Sequence, residues 1–394
     1  MNDHPSDARA GARAAVSALA ASRIRVIANA GMGDPDVLPF WFGEPDEVTP
    51  AFIREAASAS IARGETFYTQ NFGIPELRSA LADYLSTLHR RTDPGTIAVT
   101  ASGMSALMLA VEALVAPGDR VVVVTPLWPN LVEIPKILSG DVHCVPLRFD
   151  RDGWLLDLDR LLDALTPTTR VLLINSPNNP TGWTLTRGQQ QAILAHCRRL
   201  GIWIVSDDVY ERLYYVDEAP AAPSFLDCAH PDERLISTNS FSKAWLMTGW
   251  RLGWLVAPPA LMDDLGKLIE YNTSCSPMFV QRAGVAAIVH GEAEVARTRA
   301  RLRDARDYLC ASLQALPRVH APRPAGAMYA FFAIDGLRDS MAFCTDLVRT
   351  DKLGLAPGSA FGPEGEGFVR WCFASSRDRL AEGVARLTRF LQRS

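Results

Sequence analysis

The chain has 394 residues, 48% hydrophobic and 21% charged, which excludes wholesale disorder and points to two domains, or one large α/β body with a satellite. Its formal net charge of −4 carries no basic surplus, which argues against nucleic acid or an anionic membrane surface as a partner. Seven cysteines without a C-x-x-C pair match neither a zinc module nor a disulfide framework, so the expectation is no metal site and a reducing, cytoplasmic setting.

In chain order, residues 1–20 are rich in Ala, Arg and Asp, and the first eight are expected to fray. No apolar core bounded by a small-residue cleavage site follows them, so no secretory signal is read. No apolar run approaches the length of a membrane span. Residues 31–50, dense in Gly and Pro, read as an extended loop. Short apolar runs then alternate with helical patterns. The expected strands are Ile97–Thr100, Val121–Thr125, Val142–Pro146, Val171–Asn175, Ile202–Asp207, Leu235–Thr238 and Gly253–Ala257. Several are apolar throughout rather than alternating, which suits strands buried on both faces of a mostly parallel sheet. The expected helices between them are Gly103–Val115, Leu127–Leu138, Leu158–Leu165 and Thr186–Leu200. After Tyr271 the texture changes: one long helical stretch near 278–315 precedes strands at Tyr329–Ile334 and Phe368–Phe373. The fold class read from this is α/β. A large domain at 46–280 holds a mostly parallel seven-stranded sheet flanked by helices. A smaller α+β domain combines the N-terminal segment 1–45 with residues 281–394.

The chemistry gathers around one of only four lysines. Lys243 stands in SFSKAWLMTGWRLGW (240–254), and apolar surroundings lower an amine's pKa and free it to attack an aldehyde. Asp207 ends an apolar strand in SDDVYE (206–211). A carboxylate at a strand's carboxyl end can keep a pyridine nitrogen protonated; Asp208 competes for that role. NSPNNPTG (175–182) presents Asn179 on a rigid loop, and Tyr210 could share its target. TASGMSAL (100–107) opens a helix, where the backbone of Ser102, Gly103 and Met104 suits a phosphate; Ser240 and Arg251 could complete that cup. Trp128, in TPLWPN, could stack on a ring. Arg370, in GEGFVRWCFA, is an arginine on an apolar strand, and a buried arginine requires an anion such as a substrate carboxylate.

The order of these motifs, from FGEPDEVTP (42–50) through YTQNFGIPELR (68–78) to PGSAFG and GEGFVRWCFA, resembles the fold-type I pyridoxal-phosphate aminotransferases of class I/II, the aspartate aminotransferase superfamily. The resemblance implies pyridoxal 5'-phosphate as cofactor, with an amino acid and a 2-oxo acid as substrates. Lys243 would be the Schiff-base lysine and proton shuttle. Asp207 would face the pyridine nitrogen, and Asn179 and Tyr210 the phenolate oxygen. Ser102, Gly103, Met104, Ser240 and Arg251 would hold the phosphate, and Trp128 the ring face. Arg370 and the backbone of Gly43 would hold the substrate carboxylate. Tyr68 would reach the phosphate of a neighbouring subunit, which implies a homodimer with shared sites.

Two departures bear on the substrate. Met104 is apolar where some relatives carry a lysine, and residues 266–276 hold only Lys267 where others carry an arginine from the partner subunit. The expected substrate is therefore neutral or aromatic rather than dicarboxylic, although Arg25, or another arginine of the N-terminal part, could still supply a charge. Elimination, cyclisation or other diverted carbanion chemistry on the same scaffold is the alternative. A regulator is not expected, because about 40 residues before Phe42 leave no room for a helix-turn-helix domain.

Overall fold

The computed structural model describes residues 11–150 and 152–393; the fraying expected of the first eight residues lies outside them. The seven strands read from the sequence form one sheet: β1 (Ile97–Thr100), β2 (Arg120–Thr125), β3 (Asp141–Pro146), β4 (Thr169–Asn175), β5 (Trp203–Asp207), β6 (Leu235–Ser240) and β7 (Gly253–Val256). Their spatial order is β1-β7-β6-β5-β4-β2-β3. The strands from β6 to β3 pair in parallel. β7 runs antiparallel to both β1 and β6, so the sheet is mixed.

The apolar runs are buried on both faces, as their continuity predicts. Val121 and Val123 of β2, with Val171 and Leu173 of β4, join the core on one side. Val122, Val124, Leu172 and Ile174 join the core on the other. Because successive side chains point to opposite faces, a strand covered on both sides is apolar at most positions, and polar exceptions such as Ser237, Thr238 and Asn239 of β6 are hydrogen-bonded. The parallel strands therefore aim their carboxyl ends at one edge, where Asn175 lies opposite Asp207 and Asp207 opposite Thr238.

α1 (Arg23–Gly31) and α2 (Gly103–Leu114) border the cavity described below, and α3 (Pro259–Asn272), α4 (Met278–His290) and α5 (Glu292–Gln314) follow later in the chain. α1 buries Ile24, Ile27, Ala28 and Gly31, one helical stripe. The single helix expected over 278–315 is instead α4 and α5, broken at Gly291, whose backbone sits at φ −91°, ψ −1°. A Cβ there would lie 2.1 Å from the Ala287 carbonyl, so the chain turns where only glycine fits. The helix expected from Leu127 starts at Pro129, since proline is tolerated in the first turn.

Towards the C-terminus, β8 (Val319–His320), β9 (Tyr329–Ile334), β10 (Ala356–Pro357) and β11 (Phe368–Cys372) form an antiparallel sheet in the order β8-β9-β11-β10. Leu38 and Pro39 pair in parallel with Leu353 and Gly354, which ties the N-terminal segment to this part of the chain.

Candidate active site

A cavity of about 490 Å³ opens at the carboxyl ends of the parallel strands, the place where open α/β sheets collect ligands. Eleven of the thirteen residues that the resemblance places at the cofactor or substrate line it: Gly43, Gly103, Met104, Trp128, Asn179, Asp207, Tyr210, Ser240, Lys243, Arg251 and Arg370. They come from seven segments far apart in the chain.

Lys243 follows β6 and donates from Nζ to the Gly43 carbonyl at 2.6 Å. Loss of hydration pushes its amine down to about 8, so a fraction is unprotonated near neutral pH. Asp207 is buried, and burial followed by the charge of Asp208 raises its carboxyl to about 7. Asn175 donates to its Oδ2 at 3.2 Å. The competitor Asp208 turns away from the cavity and accepts from Ser206 and Ser237, each at 2.6 Å, and from Ser224 at 3.2 Å.

Ser102 caps α2, its hydroxyl accepting from Ser105 N–H at 3.0 Å. The N–H groups of Gly103 and Met104 open the helix and have no intrahelical acceptor. A Cβ on Gly103 would come within 3.0 Å of Ser240 Cβ, and one on Gly253 within 2.5 Å of Gly103 N; glycine at both positions lets this turn lie flat against β6 and β7. Arg251, exposed and in the left-handed region (φ 54°), donates to the Thr248 carbonyl at 2.7 Å.

Arg370 is 2% exposed. Its guanidinium donates to Asn179 Oδ1 at 2.9 Å and to the Trp41 carbonyl, and lies over the rings of Tyr329 and Phe361 at 4.4 and 4.8 Å. Its Nε is buried with no partner. The rings and carbonyls hold the group, yet none of these contacts supplies a counter-charge.

The other two of those thirteen do not line the cavity. The Ser102 hydroxyl is committed to its helix, and Tyr68 is 90% exposed on the surface. Arg25 does line it, on α1, with its guanidinium 4.7 Å from the Phe42 ring centre. Lys267 pairs with Asp264 at 2.7 Å instead.

The sequence model described as "Aminotransferase class I and II" matches residues 35–387. The chain belongs to the class I and II aminotransferases. It is 34% identical to an aspartate aminotransferase of Pyrococcus horikoshii over 375 residues, 94% of this chain and 95% of that one. It is 32% identical to aromatic-amino-acid aminotransferase 2 of Thermococcus litoralis, over 94% and 96% of the two chains. Its fold matches an alanine aminotransferase of Pyrococcus furiosus with a TM-score of 0.91 at 25% identity, covering 98% and 100% of the chains. Members of the class use pyridoxal 5'-phosphate, and this chain is a transaminase that depends on it.

Within the aminotransferase cavity, several residues escaped the sequence reading. Tyr329 places its hydroxyl 2.7 Å from that of Tyr210, and a Cβ on Gly43 would fall 1.8 Å from the same Tyr329 oxygen. Asn175 could have been found by the rule that singled out Asp207, because it ends an apolar strand one place along the sheet. Phe42, Ser22 and Asn130 carried no such signal. The described residues contain no helix long and apolar enough to cross a membrane.

Proposed function

We propose that this aminotransferase takes the α-amino group from a neutral or aromatic amino acid and passes it to a 2-oxo acid in two half-reactions, with Lys243 as covalent anchor and proton carrier. The observation that carries the reading is the convergence on one cavity of a depressed amine, a raised buried carboxyl and an arginine without a counter-charge. Each is unfavourable alone, and each is relieved by one part of a pyridoxal phosphate–substrate pair. Lys243 would hold the cofactor's aldehyde carbon. Asp207 would regain a cationic partner at the ring nitrogen, with Asn175 fixing its orientation. Gly103, Met104, Ser240 and Arg251 would hold the phosphate through helix N–H groups, a hydroxyl and a guanidinium. Tyr210 and Asn179 would face the ring oxygen, and Trp128 the ring.

When bound, the cofactor supplies an electron sink conjugated to the substrate Cα. Arg370 would grip the α-carboxylate, and its ring sandwich would limit how the substrate turns. Lys243 Nζ, displaced from the aldehyde carbon, would take the Cα proton and return it one atom away, at the former aldehyde carbon. Its lowered affinity for protons suits it to both transfers.

The substrate class rests on the wall formed by Met104, Leu107, Ile24, Phe42 and Trp128, which offers an apolar side chain contact area and a carboxylate little. Arg25 is the one charged residue of α1 in that wall. We further infer a cytoplasmic homodimer in which Tyr68 enters the partner's site, with a large domain at 46–280 and a small one from 1–45 and 281–394. The seven free thiols and the pairing of Leu38 with Leu353 support those readings.

The test adds single amino acids to the loaded enzyme and follows conversion of the cofactor to its amino form. Phenylalanine or leucine should convert it at least roughly tenfold faster than aspartate, a margin within reach of side-chain contacts. Equal rates would remove the substrate class and leave the transaminase. Lys243→Ala should abolish the visible absorbance of lysine-bound cofactor; a wild-type band would overturn the Lys243 assignment.

A further inference from the structure

The elbow after β5 divides its side chains between two sides. Asp207, Val209 and Tyr210 line the cavity, while Asp208 and Glu211 point behind it and are 2% and 3% exposed. Glu211 Oε1 accepts from Asn239 Nδ2 at 2.7 Å, and Asn239 Oδ1 accepts from the Ser240 N–H at 2.7 Å. Ser240 is itself a cavity residue. Glu211 Oε2 lies 3.0 Å from His89 Nε2, and His89 Nδ1 lies 2.8 Å from Asp227 Oδ1. The His89 side chain is 1% exposed.

An ionised carboxylate only accepts, and a neutral imidazole has one N–H. A neutral His89 would therefore set a bare nitrogen against a carboxylate oxygen on one side. The imidazolium satisfies both contacts. Burial opposes its charge, but the hydrogen bonds to Asp227 and Glu211 outweigh burial and raise the ring to about 10. Asp227 shares a second, exposed cation, Arg187, at 3.4 Å. Asp208 faces three serine hydroxyls and feels both Glu211 and His89.

We propose that His89 is a positioning residue of the transamination site: its buried ring bridges Asp227 and Glu211, so that Glu211, through Asn239, holds Ser240 and the elbow bearing Asp207 and Tyr210. The proposal rests on the reading that Asp207 and Ser240 face the cofactor. It predicts coupling of a defined sign. Deleting the imidazolium leaves the region more negative, which favours protonated cations at the cofactor and Lys243.

The experiment titrates the visible absorbance of the loaded enzyme in wild type, His89→Gln and His89→Gln/Glu211→Gln, and follows cofactor retention on dialysis. The single variant should raise the midpoint by roughly half a unit or more and release cofactor faster. The double variant removes one charge of each sign and should return the midpoint to wild type, which a merely space-filling histidine would not produce. An unmoved midpoint in His89→Gln, or a double variant shifted as far as the single, overturns the proposal. Should His89→Gln not fold, Glu211→Gln decides: removing the carboxylate beside the ring should lower the midpoint, and an unmoved or raised midpoint, or no folded protein, overturns the proposal. Loss of the band in Lys243→Ala beside an unmoved His89→Gln midpoint defeats this inference alone. A band retained in Lys243→Ala defeats the site assignment beneath it.

Discussion

Asp207 and Asp208 are consecutive buried carboxyls with opposite surroundings. Three serine hydroxyls solvate Asp208, whereas Asp207 accepts from the Asn175 amide and, at 3.3 Å, the Val209 N–H, and faces the cavity. Against an ordinary 3.8, Asp207 is held up at about 7 by burial and by its neighbour. Between those values the folded cofactor-free chain binds a proton that the unfolded chain has released, so this group's contribution to stability declines as pH rises through the window. Asp207→Asn removes that decline. The melting temperature of the cofactor-free variant, relative to wild type, should climb from about pH 4 to about pH 7 and then level. A margin that stays flat across the window would refute the assigned cause. Under the proposed function, the cofactor-loaded variant should lose roughly a hundredfold or more in kcat, because Asp207 would be the partner of the ring nitrogen. The preference for Asp207 over Asp208 was legible from the strand end. The reason for it, the serine shell around Asp208, was not, since Ser206, Ser224 and Ser237 belong to three separate segments.

The elements show the same division. Composition marks 278–315 as helical throughout, because Ala, Arg and Glu are all good helix formers. The break at Gly291 depends on what surrounds it. A Cβ there would meet the Ala287 carbonyl at 2.1 Å and Trp245 Cδ1 at 3.1 Å, and Trp245 lies in the segment that follows Lys243. Gly291→Ala should therefore cost about 1–3 kcal/mol, read as a lower urea midpoint at unchanged slope; an unaltered midpoint would show that the α4–α5 corner can relax. The direction of β7 is likewise invisible to periodicity. Its strand is apolar like the parallel strands β2 and β4 and carries no local mark of its direction, which is set by how the chain enters it from the Thr248–Trp250 turn.

At the scale of the molecule, Phe67, Tyr68 and Tyr271 are 84%, 90% and 90% exposed. Their segments are joined: Thr69 N–H donates to Cys275 Sγ at 3.4 Å, and Asn71 bonds Glu270 at 2.9 Å. Clustered exposed aromatics on a folded chain mark a surface that another protein covers. Under the dimer reading, sedimentation equilibrium should return about twice the 43.1 kDa chain mass. Tyr68→Phe should keep that mass while weakening cofactor retention roughly tenfold, the worth of one hydrogen bond to a charged group. A monomeric mass for an active enzyme would overturn the shared site.

The sequence alone determined the sheet and the main chemical groups. Strands buried on both faces are apolar along most of their length, and the strings at the helix start 100–107, the loop 175–182 and the elbow 206–211 are short, so their spacing is local. Tertiary structure decided the rest. Tyr329, Asn175 and the His89–Glu211–Asn239 relay act through contacts between residues as far apart as 119 positions, in Tyr210 with Tyr329, and 122, in His89 with Glu211. Such contacts leave no period in the chain. They arise when the carboxyl ends of β4, β5 and β6 are packed side by side and the segments behind them must neutralise what the cavity leaves charged.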